Sequence, residues 1–255
     1  MPKFAANLSM LFNEVDFLER FDAAANAGFQ GVEYLFPYDV DAADIKQRLD
    51  ENQLEQVLFN LPAGDWGAGE RGIACHPDRV DEFRAGVDKA IEYAAVLGNR
   101  QVNCLAGIKP EGVSDDEARK TLIENLRFAA DKLKAVGILL IAEPINTRDI
   151  PGFFLNRTEQ ALKIFDEVGS DNLKLQYDIY HMQIMEGDLA PSIERHLARI
   201  AHVQLADTPG RHEPGTGEIN YPFLFAHLDR LGYDGWIGCE YKPATTTEEG
   251  LGWMK

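Results

Sequence analysis

The chain has 255 residues, 45% of them hydrophobic, which is enough for a large buried core and close to the roughly 250 residues of a (β/α)8 barrel. Lys and Arg total 25 against 42 Asp and Glu, a formal charge of −17 that disfavours nucleic acid or an anionic membrane as a partner. An anionic substrate would therefore need a cationic site built locally.

Short apolar runs of β type alternate with longer stretches of helical periodicity. Phe4–Leu8 reads as the first strand, and Phe17, Leu18, Phe21, Ala24 and Ala25 then recur at helical spacing up to a stop at Gly28. Gly31–Phe36 and Glu55–Leu61 read as strands, the second followed by a long Gly-rich connection, Pro62–Pro77, carrying Asp65, Trp66, Glu70 and Arg71. Phe83, Val87, Ala90, Ile91, Ala94 and Leu97 form a helical stripe that ends at Gly98, before the strand Gln101–Leu105. Ser114-Asp115-Asp116-Glu117 is a capping box opening a helix that stops at Gly137, before the strand Ile138–Glu143. Thr158 is expected to cap Glu159–Val168, and the strand Leu173–Asp178 follows. Ala201–Leu205 is the seventh strand, leading into a second long connection, Asp207–Asn220. A helix with Pro222 in its first turn ends at Gly232, and Trp236–Glu240 completes the set.

Eight mostly continuous apolar strands alternating with helices predict an α/β fold with a parallel sheet covered on both faces. An open doubly wound sheet fits less well, because Ser9-Met10-Leu11-Phe12 after the first strand is not the Gly-rich loop of a dinucleotide site. The reading is a (β/α)8 TIM barrel, with residues 1–255 as a single domain and no nicotinamide cofactor. Both long connections follow strands and so belong on the face where barrel active sites lie. Met1-Pro2-Lys3-Phe4-Ala5 lacks the apolar stretch of a signal peptide, and no run reaches the ~18 apolar residues of a membrane span. Cys75, Cys104 and Cys239 are sparse and odd in number, without metal-type spacing, which points to reduced thiols and a cytoplasmic location. Assembly into a homo-oligomer is compatible with the sequence.

Four late strands end on polar residues: Glu143, Asp178, Gln204 and Glu240. In a closed barrel these ends share one arc of one rim, where three carboxylates would crowd. A divalent cation among them would relieve the repulsion. The four side chains offer only oxygen, which suits Mg2+ or Mn2+ rather than zinc. His202, on the same strand as Gln204, is expected to face away from the site and pack. A metal and two carboxyl groups can move a proton between adjacent carbons next to a carbonyl, through an enediolate. His181, expected in the loop after Asp178, could hydrogen-bond a substrate oxygen. Three carboxylates and a divalent ion leave a negative balance, so a carboxylate substrate needs a cation. Arg211 is the first candidate and Lys242 the second.

Glu143-Pro144-Ile145-Asn146, Gln176-Tyr177-Asp178-Ile179-Tyr180-His181, His202-Val203-Gln204-Leu205-Ala206-Asp207, Gly215-Thr216-Gly217-Glu218-Ile219-Asn220 and Gly238-Cys239-Glu240-Tyr241-Lys242-Pro243 resemble the hydroxypyruvate isomerase family. Phe4–Met10 and Leu61–Trp66 extend the resemblance along essentially the whole chain. That family sits among the xylose-isomerase-like barrels, with keto-sugar epimerases and 2-oxo-tetronate isomerase. The resemblance implies metal binding by Glu143, Asp178, Gln204 and Glu240, proton transfer by Glu143 and Glu240, and substrate contact by His181 and Arg211. It implies a small hydroxy-keto acid as substrate, with hydroxypyruvate and tartronate semialdehyde as the pair. Gln204 stands where many epimerase relatives carry a His ligand. A metal-dependent endonuclease on the same barrel would call for several ligating histidines and a basic face, neither of which is present. A non-catalytic binding barrel would not need two glutamates at opposing strand ends.

Overall fold

The computed structural model describes residues 2–254. Eight strands, β1 (Lys3–Asn7), β2 (Gly31–Glu33), β3 (Glu55–Asn60), β4 (Gln101–Cys104), β5 (Leu139–Ala142), β6 (Leu173–Asp178), β7 (Ile200–Leu205) and β8 (Trp236–Cys239), pair in chain order, and β1 closes on β8. All pairings are parallel. This is the expected (β/α)8 barrel, and each strand lies inside, or within one residue of, its expected run.

Eight helices surround the barrel: α1 (Arg20–Asn26), α2 (Ala42–Asn52), α3 (Val80–Leu97), α4 (Asp115–Lys134), α5 (Thr158–Val168), α6 (Ile179–Met185), α7 (Leu189–His196) and α8 (Tyr221–Leu231). The stripe Phe83, Val87, Ala90, Ala94 and Leu97 is buried on α3, and Leu122, Leu126, Ala129 and Leu133 are buried on α4. Phe59, Val102 and Leu140 from the strands join the same core. Spacings of three and four put each helical set on one face, and burying that face holds helix to sheet. Ser114 caps α4 as expected, its Oγ accepting from the Glu117 amide at 3.2 Å, the first half of a capping box.

Two local expectations are corrected. Thr158 is the first residue of α5 rather than its cap, because its hydroxyl turns inward to Met182 Sδ, 3.2 Å away, instead of back along the helix. His181 is not in a loop. The strand β6 runs straight into α6, with Asp178 as its N-cap accepting from the amides of Tyr180 and His181 at 2.7 and 3.3 Å. That junction fixes the direction in which both Asp178 and His181 point.

The two long connections stand on the face formed by the strands' C-terminal ends, and each is fastened. In the loop after β3, the Cys75 amide donates to the Ala106 carbonyl and the Gly72 amide to the Ala63 carbonyl. Gly72 comes so close to the loop after β4 that a Cβ there would lie 2.4 Å from the Leu105 carbonyl oxygen. The loop after β7 is gathered by the buried carboxylate of Asp207. It accepts from the amides of Thr208 and Ile219 on one oxygen and of Gly215 and Gly217 on the other. No described helix is long and apolar enough to cross a membrane.

Candidate active site

The loops and the strand ends enclose a cavity of about 460 Å³, lined by Glu143, His181, Gln204, Arg211, Glu240 and Lys242 among others. Glu143 follows β5 and Glu240 follows β8, so they reach inward from different sides of the rim. With Asp178 and His181 they present polar atoms that all lie within 4.8 Å of one another, and all four residues are buried. Burial, then the charges of Glu240 and Asp178, push the Glu143 carboxyl far above the ordinary range. Burial raises Asp178 to about 6 and Glu240 to about 8, although the Arg211 guanidinium pulls both the other way.

Arg211 is the cation of this cluster. Its Nη2 donates to Glu240 Oε2 at 3.0 Å, and its guanidinium carbon lies 5.1 Å from the centre of the Tyr180 ring. Burial works against its charge, but Glu240, Asp178 and Glu143 outweigh it and hold its pKa above the usual value. The backbone at Arg211 takes φ 56, a left-handed conformation uncommon outside glycine, and the loop held by Asp207 maintains it.

His181 is set by a chain of hydrogen bonds. The Asp149 amide donates to Asn146 Oδ1 at 2.7 Å, so Asn146 directs its Nδ2 hydrogens elsewhere, and its Nδ2 lies 2.6 Å from His181 Nδ1. The ring nitrogen Nδ1 is thus the acceptor and Nε2 carries the hydrogen. Nε2 lies 3.7 Å from Glu143 Oε1 and 3.6 Å from Asp178 Oδ2. Burial and the nearby Arg211 keep the imidazole neutral by lowering its pKa well below the usual value. His181 is close enough to count as a metal ligand by distance, but a protonated Nε2 has no lone pair to give. It is a hydrogen-bond donor aimed into the cavity.

A second layer lies beneath. Glu33, at the end of β2, accepts from Asn7 Nδ2 at 2.9 Å and Gln204 Nε2 at 2.7 Å on Oε1, and from His202 Nε2 at 2.7 Å on Oε2. Because Gln204 gives its amide hydrogens to Glu33, its carbonyl oxygen faces Gln176, whose Nε2 lies 2.6 Å away. The expectation that His202 faces away from Gln204 is overturned. The two are two residues apart on one strand and therefore share a face, and both point into the barrel. The register of β2 against β3 shifts beside Glu33, and that of β6 against β7 beside Gln176, irregularities of the kind that re-aim side chains near sites.

The structure thus brings Glu143, His181, Gln204, Arg211 and Glu240 to one cavity, with Asp178 buried beside Glu143, His181 and Glu240. Lys242 lies at the cavity's exposed edge, its amide bonded to the Arg211 carbonyl at 2.8 Å. Glu33, Asn7, Asn146 and Tyr180 belong to the same assembly and were not anticipated. A divalent cation fits the donor set: Glu143 Oε1 and Asp178 Oδ2 are buried without hydrogen-bond partners, and one guanidinium faces several carboxyls. The Gln204 carbonyl keeps a second lone pair beside the bond from Gln176 and could join them.

A protein-family model described as Xylose isomerase-like TIM barrel matches residues 21–255. The chain is 59% identical over 254 residues to hydroxypyruvate isomerase of Escherichia coli (strain K12), covering 100% of this chain and 98% of that protein. It is 54% identical over 255 residues to 2-oxo-tetronate isomerase of Cupriavidus necator, covering 100% and 98%. A crystal structure described as AP endonuclease, family 2, from Brucella melitensis superposes with a TM-score of 0.97 at 52% identity, covering 100% of this chain and 98% of that one.

The Glu33 layer depends on one small residue. A Cβ on Gly238 of β8 would lie 2.3 Å from both carboxylate oxygens of Glu33, which is fully buried and held by its three donors. Gly238→Ala is expected to lower stability by about 1–3 kcal/mol, the usual cost of overpacking a core, in a urea titration. An unchanged midpoint and slope would mean that Glu33 can move aside freely.

Proposed function

The chain belongs to the xylose isomerase-like TIM barrel family, and from that premise we propose that it interconverts hydroxypyruvate and 2-hydroxy-3-oxopropanoate (tartronate semialdehyde). It is an isomerase of the aldose–ketose type, on whole-length identity to the E. coli and C. necator enzymes. The observation that supports proton transfer is the pair of buried carboxyls, Glu143 and Glu240, arriving at one cavity from strands three apart in the barrel.

In the forward direction one of these carboxylates takes a proton from the CH2OH carbon, leaving an enediolate. The other carboxyl returns a proton to the former carbonyl carbon. The hydroxyl proton passes to the neighbouring oxygen, and the Nε2 hydrogen of His181 is placed to bond the oxygen on which charge gathers. Arg211 donates at the same end and keeps Glu240 oriented. Glu143, Asp178, Gln204 and Glu240 would hold the divalent cation, Mg2+ or Mn2+, which supplies Lewis-acid stabilisation of the enediolate charge. No redox partner is required, since the electrons stay within the substrate. The three buried free cysteines suit a reducing, cytoplasmic setting.

A four-carbon 2-oxo-tetronate is the second reading. The cavity of about 460 Å³ has room beyond a three-carbon acid, and the C. necator relative is a 2-oxo-tetronate isomerase. An endonuclease is disfavoured by the formal charge of −17 and by a ligand set without several histidines, despite the description of the B. melitensis structure.

Turnover of hydroxypyruvate and of four-carbon 2-oxo acids at matched Mg2+ or Mn2+ tests the assignment. The expected result is the higher specificity constant for hydroxypyruvate. A far higher one for the four-carbon acid would keep the chemistry and replace the substrate. Chelation is expected to abolish activity, with Mg2+ or Mn2+ restoring it. The added ion should also raise the melting temperature, reflecting about 2.7 kcal/mol at a hundredfold excess over its Kd. Full turnover by verified metal-free protein would exclude the metal. Glu143→Gln and Glu240→Gln are each expected to lower kcat by at least about a hundredfold, with native circular dichroism. Near-normal turnover in either folded, metal-replete variant would remove that residue from the proton path.

A further inference from the structure

Arg71 carries a role that the acid cluster does not explain. It lies in the fastened loop after β3 and lines the same cavity as Glu143 and Glu240. One edge of its guanidinium is committed to backbone, with Nη1 donating to the carbonyls of Trp66 at 3.1 Å and Glu70 at 2.7 Å. Its guanidinium carbon lies over the Trp66 ring, 4.1 Å from the ring centre. Trp66 in turn packs against Phe36, with ring centres 5.0 Å apart. Among the described residues no carboxylate pairs with Arg71, and its Nε and Nη2 make no hydrogen bond.

The other two cations at the cavity are placed differently. Arg211 is bonded to Glu240, and Asp178 and Glu143 draw on its charge as well. Turning it wholly toward a substrate carboxylate would strip the acid cluster of its counter-charge. Lys242 is exposed and offers a mobile point charge. Arg71 is held by backbone and ring, so little side-chain freedom remains to be lost when an anion binds, and its two unpaired donors match the fork of a carboxylate.

The geometry points to Arg71 as the residue that receives the carboxylate of the 2-oxo acid substrate, with Arg211 kept for the reacting end. This rests on the proposed reaction for the identity of the substrate, but the subsite itself is a carboxylate site. It makes Arg71 a specificity-determining residue, selecting acids over uncharged ketoses. It also explains why a chain with a formal charge of −17 can attract an anion into a cavity lined with acids.

The test compares metal-replete wild type, Arg71→Met and Arg71→Lys in two measurements: kinetics with hydroxypyruvate, and calorimetric binding of D-glycerate, a carboxylate that does not react. Arg71→Met is expected to raise KM and weaken glycerate binding about tenfold to a hundredfold, with kcat within about threefold, as for losing charge-assisted bonds to a part that does not react. Arg71→Lys should fall between, because it keeps the charge and loses the fork. Glycerate affinity equal to wild type in folded Arg71→Met overturns the assignment. So does a wild type that binds no glycerate, or a fall in kcat with KM unmoved. Should Arg71→Met not fold, an unchanged KM and glycerate affinity in Arg71→Lys overturns it. Arg71-dependent glycerate binding in a protein that turns over no 2-oxo acid supports the subsite and brings down the proposed reaction instead.

Discussion

Four carboxyl groups, Glu33, Glu143, Asp178 and Glu240, are buried at one end of the barrel, with the Arg211 guanidinium as the cation engaged with the last three, and the rest of the site is arranged around that charge. An uncompensated buried carboxylate is expensive, so each has its own form of relief. Glu33 takes three side-chain donors. Asp178 takes two amides at the start of α6, where the helix end itself favours negative charge. Glu240 takes Arg211. Glu143 is the least relieved, with Oε1 buried and unpartnered and its pKa driven far upward by burial and its acidic neighbours. A buried cluster with this much negative potential in a closed space could hold a cation.

That constraint reaches outward into backbone. Arg211 can answer the acids only because Asp207 gathers the amides of its loop into a rigid turn and holds the arginine in a left-handed conformation. His181 can donate into the cavity only because Asn146, oriented by the Asp149 amide, occupies the other ring nitrogen. Gln204 can turn its carbonyl away from Glu33 only because its amide hydrogens are held there. The barrel supplies the convergence of strand ends, and the chemistry is then decided by which side chains have spare donors and which have spare lone pairs.

The architecture was legible because parallel strands buried on both faces write themselves as continuous apolar runs, and α3 and α4 carry long stripes. Helix α2 was not, since it buries only Ile45 and Leu49, and α6 and α7 are too short to set up a period. Glu143, Asp178, Gln204 and Glu240 stood out as polar residues closing apolar strands. The same signature is present in the first half of the barrel, where β1, β2 and β3 end on Asn7, Glu33 and Asn60 and β4 carries Asn103 one residue from its end, all buried. Reading all eight strand ends alike would have found Glu33. The tautomer of His181 and the idle edge of Arg71 were out of reach, because both depend on contacts between residues distant in sequence.

The most direct test of two-carboxyl proton transfer is the fate of the migrating hydrogen. Hydroxypyruvate deuterated at its CH2OH carbon is converted in ordinary water, and the product is analysed at the carbon that was the carbonyl. Two-carboxyl transfer predicts hydrogen from water at this carbon in essentially all of the product, because the removed deuteron sits on one carboxyl and the returned proton comes from the other. Complete retention of the substrate's deuterium at that carbon would indicate a direct hydride shift and would contradict the assignment of Glu143 and Glu240.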